Sequence, residues 1–309
     1  MTMNEKRAKT KMKKTKFKKR YWQLYLLLLP AVAYILIFAY GPMYGIVMAF
    51  ENYKPKLGYW GSEWVGLKHF MRFIKYPDFW KLLGNTLSIS LYSLCTFPCA
   101  IILALLINEM KNVMFKKTVQ MVTYAPHFLS SVVACSIVIM MVGREGPIGN
   151  MYEMITGDNA DLLSLPQWFS TIYVWSGVWQ EIGWGTIIYL AALSGVSPEL
   201  IESAKIDGAG RIQVMRHINV PCIMPTIVIM LIMNVGSILG VGFEKIFLLQ
   251  NKLNLDTSRV ISTYVYEIGL QGGQFSYSTA IGLFNNVVNV ILILLANKVS
   301  KKVFGMGIW

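Results

Sequence analysis

Five side chains stand out in this 309-residue sequence because they are polar or amphipathic in otherwise apolar surroundings. Trp175, Trp179, Gln180 and Glu181 lie on one stretch, interrupted by Gly177 and Gly183; Asn234 lies on another, followed by Gly236, Ser237 and Gly240. An aromatic face against a sugar ring, with amide or carboxylate groups bonding its hydroxyls, is one chemistry that these residue types serve. Ordinary packing is the other, since glycine lets helix backbones approach and asparagine bonds across the contact. Glu181 suits an internal ion pair or proton sharing as well as solute contact. Asn285, Asn286 and Asn289 add the same residue types near the end of the chain.

Reactive constellations are missing. A membrane-embedded enzyme needs a nucleophile with its base or a metal set such as His-Glu-x-x-His. Only His127 lies well inside an apolar stretch, and beside Pro126 it reads as a packed residue at a kink. Cys95, Cys99, Cys135 and Cys222 fall in or at the edge of apolar runs and read as small core residues. No catalytic residue and no metal site is assigned, and the chain is not expected to be an enzyme. It has no Gly-x-x-x-x-Gly-Lys-Ser/Thr loop, and Asp207-Gly208-Ala209-Gly210 lacks the lysine that such a loop requires. No cofactor of its own is therefore expected.

The elements that must position these residues follow from where charge is absent. Hydrophobic residues make up 55% of the chain and charged ones 15%, too apolar for an ordinary globular surface. No Asp, Glu, Lys or Arg occurs in 21–50, 82–108, 118–143, 217–243 or 268–297. Each gap is long enough for a spanning helix of about 20 residues, and 167–194 is a sixth, apolar except for Glu181. Hydrocarbon offers the backbone no partner, and the alternating pattern of barrel strands is missing, so the expected fold is all-α with six transmembrane helices. The spans are placed at about 24–49, 83–108, 118–142, 168–194, 222–247 and 276–297. Glu244 and Lys245 then read as outer-interface residues whose side chains snorkel to water.

Charge sets the orientation. Ten of the 29 basic residues lie in 1–20, ahead of the first apolar run. With that basic tail inside, the inner segments hold nineteen basic residues and the outer connections nine, which places both termini in the cytoplasm. The tail suits anionic lipid headgroups rather than nucleic acid. No small-residue cleavage pattern follows Tyr40-Gly41-Pro42, so the first run is expected to be retained as a helix. The 51–81 connection is rich in Trp, Phe and Tyr, as befits an interfacial segment.

Between the fourth and fifth spans, 195–221 is the inner connection long enough for structure of its own. Ser197 stands where it can cap a helix beginning at Pro198, and Gly208 permits a left-handed turn after it. A second short helix over about 209–218 would complete a helix-turn-helix, an element suited to inserting into a groove on another protein.

This loop resembles that of bacterial binding-protein-dependent ABC importer permeases. Glu202-Ser203-Ala204, Gly208, Ile218 and Pro221 fit the spacing of the family pattern, with Ser203 for the usual first Ala. Trp64-Val65-Gly66-Leu67, Asn85-Thr86 and Gly149-Asn150 are similar to carbohydrate-importer permeases, and Tyr40-Gly41-Pro42-Met43-Tyr44-Gly45 is similar to the branch for complex oligosaccharides. The resemblance implies that the coupling element runs through Glu202, Ser203, Ala204, Asp207, Gly208, Ile218 and Pro221. It also implies an ATPase dimer that binds the nucleotide, a second permease in a heterodimer, an extracytoplasmic solute-binding lipoprotein and a bacterial cell membrane location. The expected activity is passage of a sugar or oligosaccharide by alternating access. A non-sugar solute is the alternative, with a membrane enzyme or channel behind it.

Overall fold

A backbone in hydrocarbon must bond to itself, and most of the described residues do so in helices. The computed structural model describes residues 22–308; the basic tail over 1–20 lies outside the described residues. The chain divides after Gly66 into two units.

In the first unit, helix α1 (Trp22–Ile35) continues through π-helical Leu36–Tyr40, Gly41–Met43 and 3-10 Tyr44–Phe50 into one rod, Trp22–Phe50. Helix α1 buries none of its residues. A two-stranded ribbon follows, β1 (Glu51–Asn52) antiparallel to β2 (Glu63–Trp64). It is fastened by the Val65 N–H donating to the Phe50 carbonyl at 2.8 Å. Phe50 also stacks on Trp64, with centroids 5.6 Å apart.

The second unit starts with α2 (Lys68–Ile74) and continues with α3 (Phe79–Cys95), α4 (Pro98–Glu109), α5 (Val113–Tyr124), α6 (Ser131–Val142), α7 (Pro147–Thr156) and α8 (Phe169–Ser194). Helices α9 (Pro198–Ile206), α10 (Arg211–Val214), α11 (Val220–Gly236), α12 (Phe243–Leu249), α13 (Ile261–Tyr266) and α14 (Phe275–Phe304) complete it. Among the described residues, five helical runs are long and apolar enough to cross a membrane: Trp22–Phe50, Phe79–Glu109, Ser131–Thr156, Arg211–Gly236 and Phe275–Phe304. Pro166–Ser194 with Pro198–Ile206, bent by 76°, supplies the sixth.

Three breaks depart from the sequence expectation. The 118–142 stretch is two helices, because Pro126 brings no N–H to the turn at Ala125–Phe128 and Ser130 begins a new helix by capping Val133 N–H. The fifth helix ends at Gly236 instead of running to 247; Ser237, Gly240 and Gly242 carry the chain to a separate short helix, α12. In the 195–221 loop, α9 is present and Gly208 has φ +82°, but Ser197 makes no capping bond through its side chain. Past Gly208, the residues from Arg211 run through a π-helical turn at Met215–Asn219 directly into α11, so the second half of the loop is the start of the fifth spanning helix.

Helix α8 is the post of the second unit, packed against α3, α4, α5 and α11. Tyr189 and Leu193 of α8 share one core with Ile101, Ala104, Leu105 and Ile223. Phe169 and Ile172 join another with Cys135, Val138, Ile246 and Leu249. A third core gathers Phe73, Phe79, Leu82, Tyr264, Tyr277 and Ile281. Polar bonds seal the ends. Asn85 donates to the carbonyls of Asp256 and Arg259, and the adjacent Thr86 hydroxyl accepts the Ile261 N–H. Arg259 is bonded to Glu267; burial works against its charge, yet that carboxylate holds the guanidinium pKa above its ordinary value.

Gly183 of α8 lies so close to the end of α5 that an added Cβ would stand 2.1 Å from the Thr123 carbonyl oxygen. Gly183→Val must therefore push α8 off α5, at a cost of roughly 1–3 kcal/mol or more. Gly84, with open space around its Cβ position, is the matched control: Gly84→Ala should leave the midpoint of thermal unfolding in detergent unchanged or raised, while Gly183→Val lowers it.

Candidate functional site

Midway along α8 the packing opens into a cavity of about 680 Å³. The sequence from Tyr173 to Glu181 alternates bulky residues with Ser176 and Gly177, so one side of the helix is thin there. The opposite wall comes from Asn234 on α11 and from Gly242 to Lys245 at the start of α12, brought in by the break after Gly236. A smaller hollow of about 190 Å³ shares Ser93, Tyr173, Asn234 and Gly242 with it.

Three of the five expected pathway residues meet here: Gln180, Glu181 and Asn234 all line the larger cavity. Asn234 also donates to the Met230 carbonyl of its own helix at 2.8 Å. Gln180 donates to the Leu129 carbonyl at 3.4 Å. Trp175 and Trp179 are not part of the lining. Trp175 is half-exposed and donates through Nε1 to the Tyr92 hydroxyl at 2.9 Å. The asparagines of α14 serve packing: Asn285 donates to the Leu239 carbonyl, and Asn289 accepts the Leu239 N–H, so together they hold the unwound segment after α11 in place.

Glu181 is engaged within the chain. Its Oε2 lies 2.8 Å from His127 Nδ1, and the His127 ring stacks on Trp184 with centroids 4.3 Å apart and planes 6° from parallel. The histidine assigned to a kink by sequence thus sits at the kink and also supplies the carboxylate's partner.

The charged pair after the fifth helix is the residue set that sequence reasoning misplaced. Glu244 and Lys245 line the cavity instead of snorkelling away from it. Glu244 accepts a hydrogen bond from Ser131 at 2.8 Å. Lys245 Nζ is buried, stands 5.2 Å from the centroid of the Tyr173 ring and has no hydrogen-bond partner. The signal available in the sequence was their position directly after the helix-breaking Gly240-Val241-Gly242, which turns the chain inward.

The 195–221 loop is the second candidate site. Glu202, Ser203, Ala204, Asp207 and Gly208 lie on α9 and the turn behind it; Ile218 and Pro221 lie where the next helix begins. Glu202, Ser203, Asp207, Gly208 and Pro221 are exposed, and Ala204 and Ile218 half-buried. The turn is closed by Gly208 N–H to the Lys205 carbonyl at 3.1 Å and Ala209 N–H to the Ala204 carbonyl at 2.9 Å. Two large apolar side chains flank it almost uncovered, Ile206 at 86% exposure and Ile212 at 76%.

Comparison with known proteins gives one consistent result. Residues 96–305 match the family described as binding-protein-dependent transport system inner membrane component. The chain is 46% identical to the polygalacturonan/rhamnogalacturonan transport system permease protein YteP of Bacillus subtilis (strain 168), over 93% of this chain and 90% of the relative. It is also 46% identical to protein LplB of the same organism, over 92% and 90%. Among solved structures, a chain of a bacterial ABC transporter involved in the import of the acidic polysaccharide alginate superposes with TM-score 0.84 at 41% identity, covering 94% of this chain and 99% of that one. The same transporter in complex with an alginate pentasaccharide-bound periplasmic protein matches with TM-score 0.84 and covers 95% and 99%. A family match across the bundle, the 195–221 loop included, and full-length relatives at this identity lead to one conclusion: the chain belongs to the binding-protein-dependent transport system inner membrane components and is a multi-pass membrane permease of the ABC importer type.

Proposed function

We propose that this permease passes an oligosaccharide across the bacterial cell membrane by alternating access, driven by an ATPase dimer that binds the nucleotide. The observation that carries the reading is the arrangement of α8: its middle lines the cavity that Gln180, Glu181 and Asn234 share, and its far end turns through 76° into α9 and the exposed Ile206. Helix α8 and the short helix that follows its bend therefore lead from the place where a solute fits to the place where force can enter. Sugar is favoured as the solute because Tyr173, Gln180 and Asn234 supply an aromatic face and amides, and because relatives carry the names of polysaccharide importers. A second permease, in a heterodimer, would face this one within the lipid, and an extracytoplasmic binding lipoprotein would deliver the solute. The α9 loop and both termini then face the cytoplasm, in keeping with the basic tail.

The loop is tested at its exposed apolar residues, whose replacement leaves the core untouched. Ile206→Asp with Ile212→Asp should cut co-purification of the ATPase subunits by about tenfold or more, as expected when central apolar anchors of an interface are lost; undiminished capture would overturn the docking role. Gly208→Val acts through the backbone, because a side chain at φ +82° costs about 1–2 kcal/mol. It should abolish solute-stimulated ATP hydrolysis while membrane insertion persists. At the cavity, Asn234→Leu should slow uptake and leave ATPase capture unchanged, measured on the same purified complex.

A further inference from the structure

We propose that α2 is an interfacial helix that recognises anionic lipid headgroups of the outer leaflet and so fastens the outer end of α14 to the membrane surface. The inference rests on the orientation proposed above, which puts α2 outside, and adds to it a ligand and the residues that hold it.

A helix repeats its faces every three or four residues, and α2 with its two capping residues carries three distinct rows. His69 and Phe73 are buried. Leu67, Met71 and Ile74 form a second row, apolar and exposed. Lys68, Arg72 and Lys75 form the third, basic and exposed. The buried row sets the level of the helix: the Phe73 ring meets Phe284 edge to face at 5.6 Å, and Phe284 stands in the third turn of α14, a helix long and apolar enough to cross the membrane. A helix held at that level with an apolar and a basic row side by side has the pattern of one lying in the interface, its apolar side chains toward the acyl boundary and its cations toward the headgroups. Trp80, 76% exposed in the first turn of α3, adds the kind of ring that favours that boundary.

Charge decides which headgroups. Within 67–81 there are four basic residues and one acid, Asp78. Lys81 is taken by Asp256 at 2.5 Å, and Asp78 accepts from the Tyr76 hydroxyl at 3.2 Å. Lys68, Arg72 and Lys75 have no ion-pair partner among the described residues. The Arg72 guanidinium lies 4.2 Å from the centroid of the Tyr277 ring, which holds it against α14 without neutralising it. Basic residues tend to stay on the cytoplasmic side, so such a row outside calls for an anion. An anionic headgroup supplies it where an apolar row can enter the lipid beside it. An acidic protein would answer the charge but not the apolar row at the level of a spanning helix.

Right-side-out membrane vesicles carrying the assembled importer test this. A photoreactive phosphatidylglycerol, or a phosphatidylcholine bearing the same reactive group, is exchanged into the outer leaflet, and labelled peptides are read by mass spectrometry. The anionic lipid should label 67–81 about fivefold more than the zwitterionic one. Lys68→Gln with Lys75→Gln should lower the anionic labelling about tenfold and leave the zwitterionic signal within about twofold, whereas Lys68→Arg with Lys75→Arg keeps both. Equal labelling by the two lipids, or a glutamine variant that labels like the unaltered chain, overturns headgroup recognition and leaves the orientation standing. Labelling that disappears when the solute-binding protein is added assigns the face to a protein partner and overturns the proposal too. If 67–81 is labelled only in inside-out vesicles, α2 faces the cytoplasm, and the orientation falls together with the proposal.

Discussion

The close approach of α8 to the end of α5, where Gly183 lies against the Thr123 backbone, is the constraint on which the rest of the second unit depends. Between helices in lipid, water offers no hydrophobic drive for association, so contact has to come from backbones that fit closely. Glycine at 183 allows that fit, and Gly185 repeats it against Ala100 on α4 at a gentler 3.3 Å. Once α8 is fixed on both neighbours, the kink at Pro126 brings His127 to Glu181, and the side of α8 around Gly177 is left thin. The cavity is a by-product of where the glycines fall.

The unwound segment after Gly236 does the complementary work. A continuous fifth helix would have carried Glu244 and Lys245 farther along its own axis, toward the interface expected from the sequence. Breaking it at Ser237–Gly242 and pinning Leu239 with two asparagines of α14 turns those charges toward α8. Irregular backbone at this depth is tolerated where it lines a cavity rather than lipid. The asparagines that looked like solute contacts and those that hold the break are the same residue type doing two jobs, which is why composition alone did not separate them.

Much of this was legible beforehand. Runs poor in charge pointed to an all-α membrane bundle, because the cost of burying an ion in hydrocarbon leaves a record in sequence, although the third crossing helix, Ser131–Thr156, lies later in the chain than the 118–142 expected. The family pattern located the α9 loop, since its turn needs glycine at position 208. Gln180, Glu181 and Asn234 were found because polar side chains are rare in such runs. What was not legible depends on contacts between distant segments. Trp175 points to Tyr92 and not into the cavity, Lys245 stays within the bundle, and the residues after Arg211 merge with the fifth helix through a π-helical turn; none of these leaves a periodic or compositional trace.

Helix α1 carries a consequence for how the protein is made. Its residues are apolar on every side and it buries none of them, so it is stable in lipid as soon as it leaves the ribosome and needs no mate. The segments bearing Glu181 and Lys245 are different, because each charge is tolerable only after its neighbours have closed around it. During synthesis the first helix can settle at once, whereas the fourth segment must wait near the insertion machinery until the fifth has emerged, 63 residues later at the spacing of Glu181 and Glu244. The charges that give the finished protein its polar interior also make its two central segments depend on each other at birth.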